Sequence, residues 1–106
     1  MAMEFAVKIT ELCDGIQGRN VFVKQLLRSS SSIGANAFEA KYAQSDADFV
    51  NKYEIALKEC NETEYWLTLL YNTKSIPQEA FDEYVQMCSN LRRKMIASIM
   101  TVKSKQ

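Results

Sequence analysis

Apolar residues recur along this chain every three or four positions, almost from its first residue to its last. Phe5, Ile9, Leu12 and Ile16 form a first stripe, with Glu4, Lys8 and Glu11 between them. That spacing puts the apolar side chains on one face of a helix and predicts a short helix over about 4–16. Two of the three glycines follow within Asp14-Gly-Ile-Gln-Gly-Arg-Asn20, which marks a turn. A second helix is predicted over 20–43, capped by Asn20. Its inner line is Val23, Leu26/Leu27, Ser30, Ile33/Gly34, Ala37 and Ala40. Its centre, Ser29–Ser32 followed by Gly34, is a poor helix former by propensity. The periodicity on both sides predicts that the helix continues, with small residues where another backbone comes close. The hydroxyls are expected to bond back to the i−4 carbonyl.

A third helix is predicted over 46–71. Ser45 and Asp48 have the spacing of a capping box, and Asp46 and Asp48 suit the positive end of a helix. Phe49, Tyr53, Ala56, Cys60, Thr63, Leu67 and Leu70 make its stripe, and Val50, Leu57, Tyr65 and Trp66 widen it. At 1.5 Å per residue this is a rod of roughly 40 Å. The last helix is predicted over 76–103, with Ser75 as cap, Pro77 in the first turn and Gln78 completing a box. Phe81, Tyr84, Met87/Cys88, Leu91, Met95, Ile99 and Val102 carry its apolar face. A short turn makes the third and fourth helices antiparallel neighbours. The expected fold is all-α, a single up-and-down antiparallel four-helix bundle over 1–106. Stripes this broad leave aromatic surface uncovered in one copy, which predicts a homo-oligomer.

Composition narrows the function classes. With 47% hydrophobic residues the chain has enough for a core and does not read as disordered. No apolar run reaches the roughly 18–20 residues that cross a bilayer. The opening residues lack a basic segment followed by an apolar one, so a cytoplasmic setting is expected. Thirteen basic residues balance thirteen acidic ones, leaving no global field to draw the chain to a polyanion. Locally, Arg92, Arg93, Lys94, Lys103 and Lys105 cluster near the end with no acidic residue among them. They are the candidate nucleic-acid contacts, read otherwise as a solvated helix end matched to its dipole.

There is no histidine. A di-iron bundle site needs Glu-x-x-His on two helices, and serine or cysteine nucleophiles need a base. An all-carboxylate magnesium site from Glu39, Glu59 and Glu62 is the weaker alternative. Gly15 and Gly18 match no phosphate-loop spacing. Cys13, Cys60 and Cys88 are odd in number and too widely spaced for a metal knuckle, and read as buried thiols. The chain is expected to have no catalytic residue, cofactor or metal. Arg28, Asn36, Glu39, Lys58, Glu59 and Glu62 are instead expected to form a structural polar cluster between the second and third helices.

Between Gln25 and Leu70 several segments stand out together: Gln25-Leu-Leu-Arg-Ser29, Ser32-Ile-Gly-Ala-Asn36 with Glu39, Ser45 with Asp48-Phe49, Ala56-Leu-Lys-Glu59 and Asn61-Glu-Thr-Glu-Tyr-Trp-Leu67. In order and spacing they resemble the four-helix bundle proteins encoded in intervening sequences of bacterial 23S ribosomal RNA genes. The resemblance implies a four-helix bundle that often assembles as a ring-like pentamer. Relatives include the accessory variability protein of diversity-generating retroelements, which binds nucleic acid and a reverse transcriptase through a basic surface. The family usually reads Asn-Ile-Ala-Glu-Gly where this chain has Asn36-Ala-Phe-Glu-Ala40. The function expected is a non-enzymatic bundle acting through self-association and protein interaction. The alternative is a nucleic-acid accessory protein whose basic surface repeats around an oligomer.

Overall fold

The computed structural model describes residues 1–105. They form four helices and no strand: α1 (Ala2–Asp14), α2 (Asn20–Ala40), α3 (Asp46–Asn72) and α4 (Gln78–Lys103). α2 packs on α3, α3 on α4 and α1 on α2, with a lighter contact between α1 and α4. The result is a helical bundle about 47 Å long and 20 Å across. Pairings across the seams descend on one helix as they ascend on the other. Along α2 and α3 they are Phe22 with Trp66, Ser29 with Thr63, and Glu39 with Lys52. Along α3 and α4 they are Cys60 with Cys88 and Tyr71 with Phe81.

Each helix buries the stripe its periodicity marks. Phe5, Ile9 and Cys13 of α1 meet Leu26 and Ile33 of α2, Ala56, Cys60, Leu67 and Leu70 of α3, and Cys88, Leu91 and Met95 of α4 in one core. α2 does run unbroken through its serines. Ser29 and Ser30 are buried, and Ser29, Ser30 and Ser31 bond back to carbonyls three residues earlier rather than four. Ser29 Oγ also lies 2.9 Å from Thr63 Oγ1, whose hydroxyl reaches the Glu59 carbonyl at 2.8 Å. The small side chains thus bring α2 and α3 together while every buried hydroxyl keeps a partner.

The helix ends depart from expectation in instructive ways. α1 stops at Asp14, not Ile16, where the Gly15 and Ile16 amides tighten onto carbonyls three residues back. Asn20 is the first helical residue rather than the cap. Arg19 holds the cap position in left-handed conformation at φ 55°, and its side chain crosses to Ser75 Oγ. α2 ends at Ala40 instead of 43, because the Lys41, Tyr42 and Ala43 amides bond to carbonyls three residues earlier, a tighter winding.

At α3 half of the expected box forms. Ser45 Oγ accepts from the Asp48 amide at 3.0 Å, while Asp48 Oδ2 accepts from the Gln44 amide, one residue outside the cap. Its far end closes with the Ser75 amide on Leu70 O and the Lys74 amide on Tyr71 O, Lys74 being left-handed at φ 61°. That is a Schellman closure with lysine where glycine usually stands. Ser75 does not cap α4. Its hydroxyl is spent on Thr73 and Arg19, and Pro77 takes the cap position with no side-chain bond.

Candidate interaction surface

α1 is half the length of α4, about 20 Å against 39 Å at 1.5 Å per residue. Its first residue lies level with Gly34, about two-thirds of the way along α2: a Cβ there would stand 3.7 Å from the Ala2 carbonyl. Beyond that point α2 runs on without α1 to cover it. The consequence is an apolar groove of about 820 Å³, floored by Ala2, Gly34 and Ala35 and walled by Met1, Met3 and Phe38. Phe38 is 58% exposed and Tyr42, packed against it with ring centroids 5.6 Å apart, is 71% exposed. Lys41 Nζ stands 5.8 Å from the Phe38 ring centre. On α4, Ile96 and Met100 are also exposed. A second apolar feature lies toward the other end of α2. Phe22 stacks on Trp66, Tyr65 packs edge-on against Trp66 at 5.0 Å, and both Tyr65 and Val21 face solvent.

The predicted polar cluster divides. Arg28 joins α3 through Glu59 at 3.0 Å and through Glu62, while its Nε donates to Gln25. Glu62 also accepts from Trp66 Nε1. Glu39 is elsewhere, paired with Lys52 at 3.2 Å. Asn36 turns to its own helix and donates to the Ser32 carbonyl and hydroxyl. Lys58 is exposed and enters no ion pair among the described residues. Arg28 and Glu39 are eleven residues, about 16 Å, apart along α2, too far for one network. Glu39, Glu59 and Glu62 therefore do not converge on a cation. Among the described residues no group of three or more Cys, Asp or Glu is placed to hold a metal.

The basic region divides as well. Arg92 is tied down on α3: its Nε donates to Asn61 and its Nη2 to Glu64 at 2.9 Å, a bond that raises its pKa. Arg93 donates to Asn90 on its own helix. Lys94 is exposed beside the mouth of the groove, whereas Lys103 and Lys105 lie a further two to three turns along. Cys13, Cys60 and Cys88 are buried free thiols. Burial and Asp14 push the Cys13 thiol up to about 11. Cys60 donates to the Cys88 carbonyl at 3.3 Å, and the two thiols interact so that Cys60 is lowered and Cys88 raised.

The sequence model for the 23S rRNA-intervening sequence protein family matches residues 1–97. The chain belongs to that family. A solved relative agrees in fold: the 1.70 Å crystal structure of a protein of unknown function from the S23 ribosomal protein family of Bacteroides thetaiotaomicron VPI-5482. The two share 46% identity and a TM-score of 0.87 over 92% of this chain and 94% of that one. No curated protein matches. For this member of the 23S rRNA-intervening sequence family, periodicity identified the core line but passed over the groove. The signal for it was present as large apolar residues off the inner line, Met3 and Phe38. No helix among the described residues is long and apolar enough to cross a membrane.

Proposed function

We propose that this protein is a non-enzymatic, antiparallel up-and-down bundle whose role is exercised through self-association, the copies forming a ring-like homo-oligomer. The observation that carries the reading is the uncovered apolar end. Met1, Met3, Phe38 and Tyr42 are each more than half exposed around or beside one groove, and soluble single chains rarely leave such a patch in water. The descending pairings across α2–α3 and α3–α4 support the antiparallel arrangement. Five subunits is the number the family resemblance implies. A cytoplasmic setting fits three cysteines kept as thiols.

Light scattering coupled to size exclusion tests it. The expected mass is a multiple of 12.1 kDa, five-fold for a pentamer. A species of 12.1 kDa at every concentration overturns the reading.

A second reading, nucleic-acid binding, is favoured by Arg93, Lys94, Lys103 and Lys105, which form no ion pair among the described residues. In a ring this set repeats on every subunit, whereas Arg92 is already committed to Glu64. Binding measured against salt decides it. Phosphate contacts give an affinity that falls linearly in log–log form, and no binding at low salt to duplex or single strands removes the reading.

A further inference from the structure

We infer that Cys60 and Cys88 are a redox pair, a buried dithiol that a peroxide closes to a disulfide tying α3 to α4. The inference is independent of how copies associate. Both residues are free thiols fully buried in the core. They occupy facing positions of α3 and α4, 28 residues apart in the chain. Cys60 Sγ lies 3.3 Å from the Cys88 carbonyl oxygen, so its side chain rests on the α4 backbone at the residue that carries the second thiol. The two side chains also hydrogen-bond to one another. Two thiols in contact at one level of a helix pair need little movement to reach disulfide geometry, in which the Cβ atoms stand about 3.5–4.5 Å apart. The third thiol, Cys13 of α1, is shifted by burial and by Asp14, not by either of the other cysteines.

The side chains over the pair favour the reaction. Arg92 sits one turn after Cys88 and donates to Asn61 and Glu64, which follow Cys60 on α3. The guanidinium thus spans the seam beside the thiols. The hydrogen bond from Cys88 holds the Cys60 thiol below its ordinary pKa in spite of burial, and the Arg92 charge acts in the same direction. Cys88 is pushed up and stays protonated as the donor. Cys60 is therefore the first nucleophile, because the thiolate is the form that peroxide oxidises.

The Cys60 thiolate attacks one oxygen of hydrogen peroxide. The O–O bond breaks, Cys60 becomes a sulfenic acid, and the departing hydroxide takes up a proton to leave as water. The Cys88 sulfur then attacks the Cys60 sulfur. The S–S bond forms, the S–O bond breaks, and hydroxide leaves with the Cys88 proton as a second water. The pair has lost two electrons and one peroxide has gained them. A small thiol in excess reverses the step by exchange and ends as its own disulfide. Because both sulfurs are covered, oxidation waits on local opening of the α3–α4 seam. Once closed, the link constrains the unfolded chain, so the oxidised form resists urea better than the reduced one.

Hydrogen peroxide applied to the whole wild-type chain tests this, read by intact mass and by peptide mapping without reductant. Each chain is expected to lose two hydrogens and to yield a peptide joined through Cys60 and Cys88. Thiol titration in denaturant should then find one free thiol where there were three, and dithiothreitol should restore the others. The oxidised protein should unfold at higher urea than the reduced. Cys13→Ser should form the same link and Cys60→Ser no link within the chain. The inference is overturned if all three thiols survive, if the link joins two chains or involves Cys13, if oxygen stays on Cys60 while Cys88 remains free, or if the linked form unfolds at lower urea. Mapping of the wild type decides the pairing even if a variant fails to fold.

Discussion

Removing the Thr63 hydroxyl should cost stability, and removing Ser29's as well should return most of it. Both side chains are fully buried where α2 meets α3. Each hydroxyl carries one proton. Thr63's is shared between the Glu59 carbonyl at 2.8 Å and Ser29 Oγ at 2.9 Å, and Ser29 donates in turn to Leu26 O at 3.3 Å. Thr63→Val keeps the volume but sets a methyl against the Ser29 oxygen and leaves it the longer bond. The expected loss is about 1–2 kcal/mol, the cost of a buried polar group deprived of its partner. Ser29→Ala leaves Thr63 satisfied by Glu59 and gains helix propensity, so it should cost no more than about 0.5–1 kcal/mol. In the double variant no hydroxyl remains to be satisfied, and stability should return to within about 0.5 kcal/mol of wild type. The coupling in the cycle is then about 1–2 kcal/mol.

Urea unfolding at one fixed protein concentration reads these values, because association makes apparent stability concentration-dependent. With a slope of about 1–1.5 kcal/mol/M for a chain of this size, Thr63→Val should move the midpoint by about 1 M. A double variant whose loss equals the sum of the singles would refute the shared-proton reasoning.

Four further outcomes are expected. Lys74→Gly should stabilise by about 1 kcal/mol in thermal or urea unfolding, because it relieves a left-handed backbone at φ 61° without disturbing the α3 closure. Gly34→Ala should stabilise by about 0.5–1 kcal/mol, since the new methyl meets Ala2 at ordinary contact distance, 3.7 Å, and alanine favours the helix; a lower melting temperature would show the approach to be tighter. Arg28→Ala should cost about 0.5–1 kcal/mol at low salt and less at 1 M salt, because the guanidinium is 46% exposed and its pairs with Glu59 and Glu62 are screened. The Cys13 thiol, at about 11 when folded against 9.0 for an ordinary thiol, prefers its neutral form in the fold; its contribution is complete below pH 9 and lost as pH rises toward 11. Wild type should therefore lose more stability than Cys13→Ala across that window, by up to about 2–3 kcal/mol, and identical pH profiles would exclude a titrating Cys13.

The four helices were legible in the residues themselves because helical periodicity is local. A stripe such as Cys88, Leu91, Met95 and Ile99 states its buried face without reference to any neighbour. The serine run was legible for the same reason, flanked by periodic segments that outweigh its weak propensity. Pairing was not. Glu39 and Glu59 look alike as residues, yet one meets Lys52 and the other Arg28, because partner choice depends on the rotation and register of two helices together. Ser75 carries a capping sequence but lies where Arg19, 56 residues earlier in the chain, claims its hydroxyl. The groove was decided in the same way. Phe38 and Tyr42 are exposed not through any property of α2, but because α1 begins level with Gly34 and leaves the last turns of α2 uncovered.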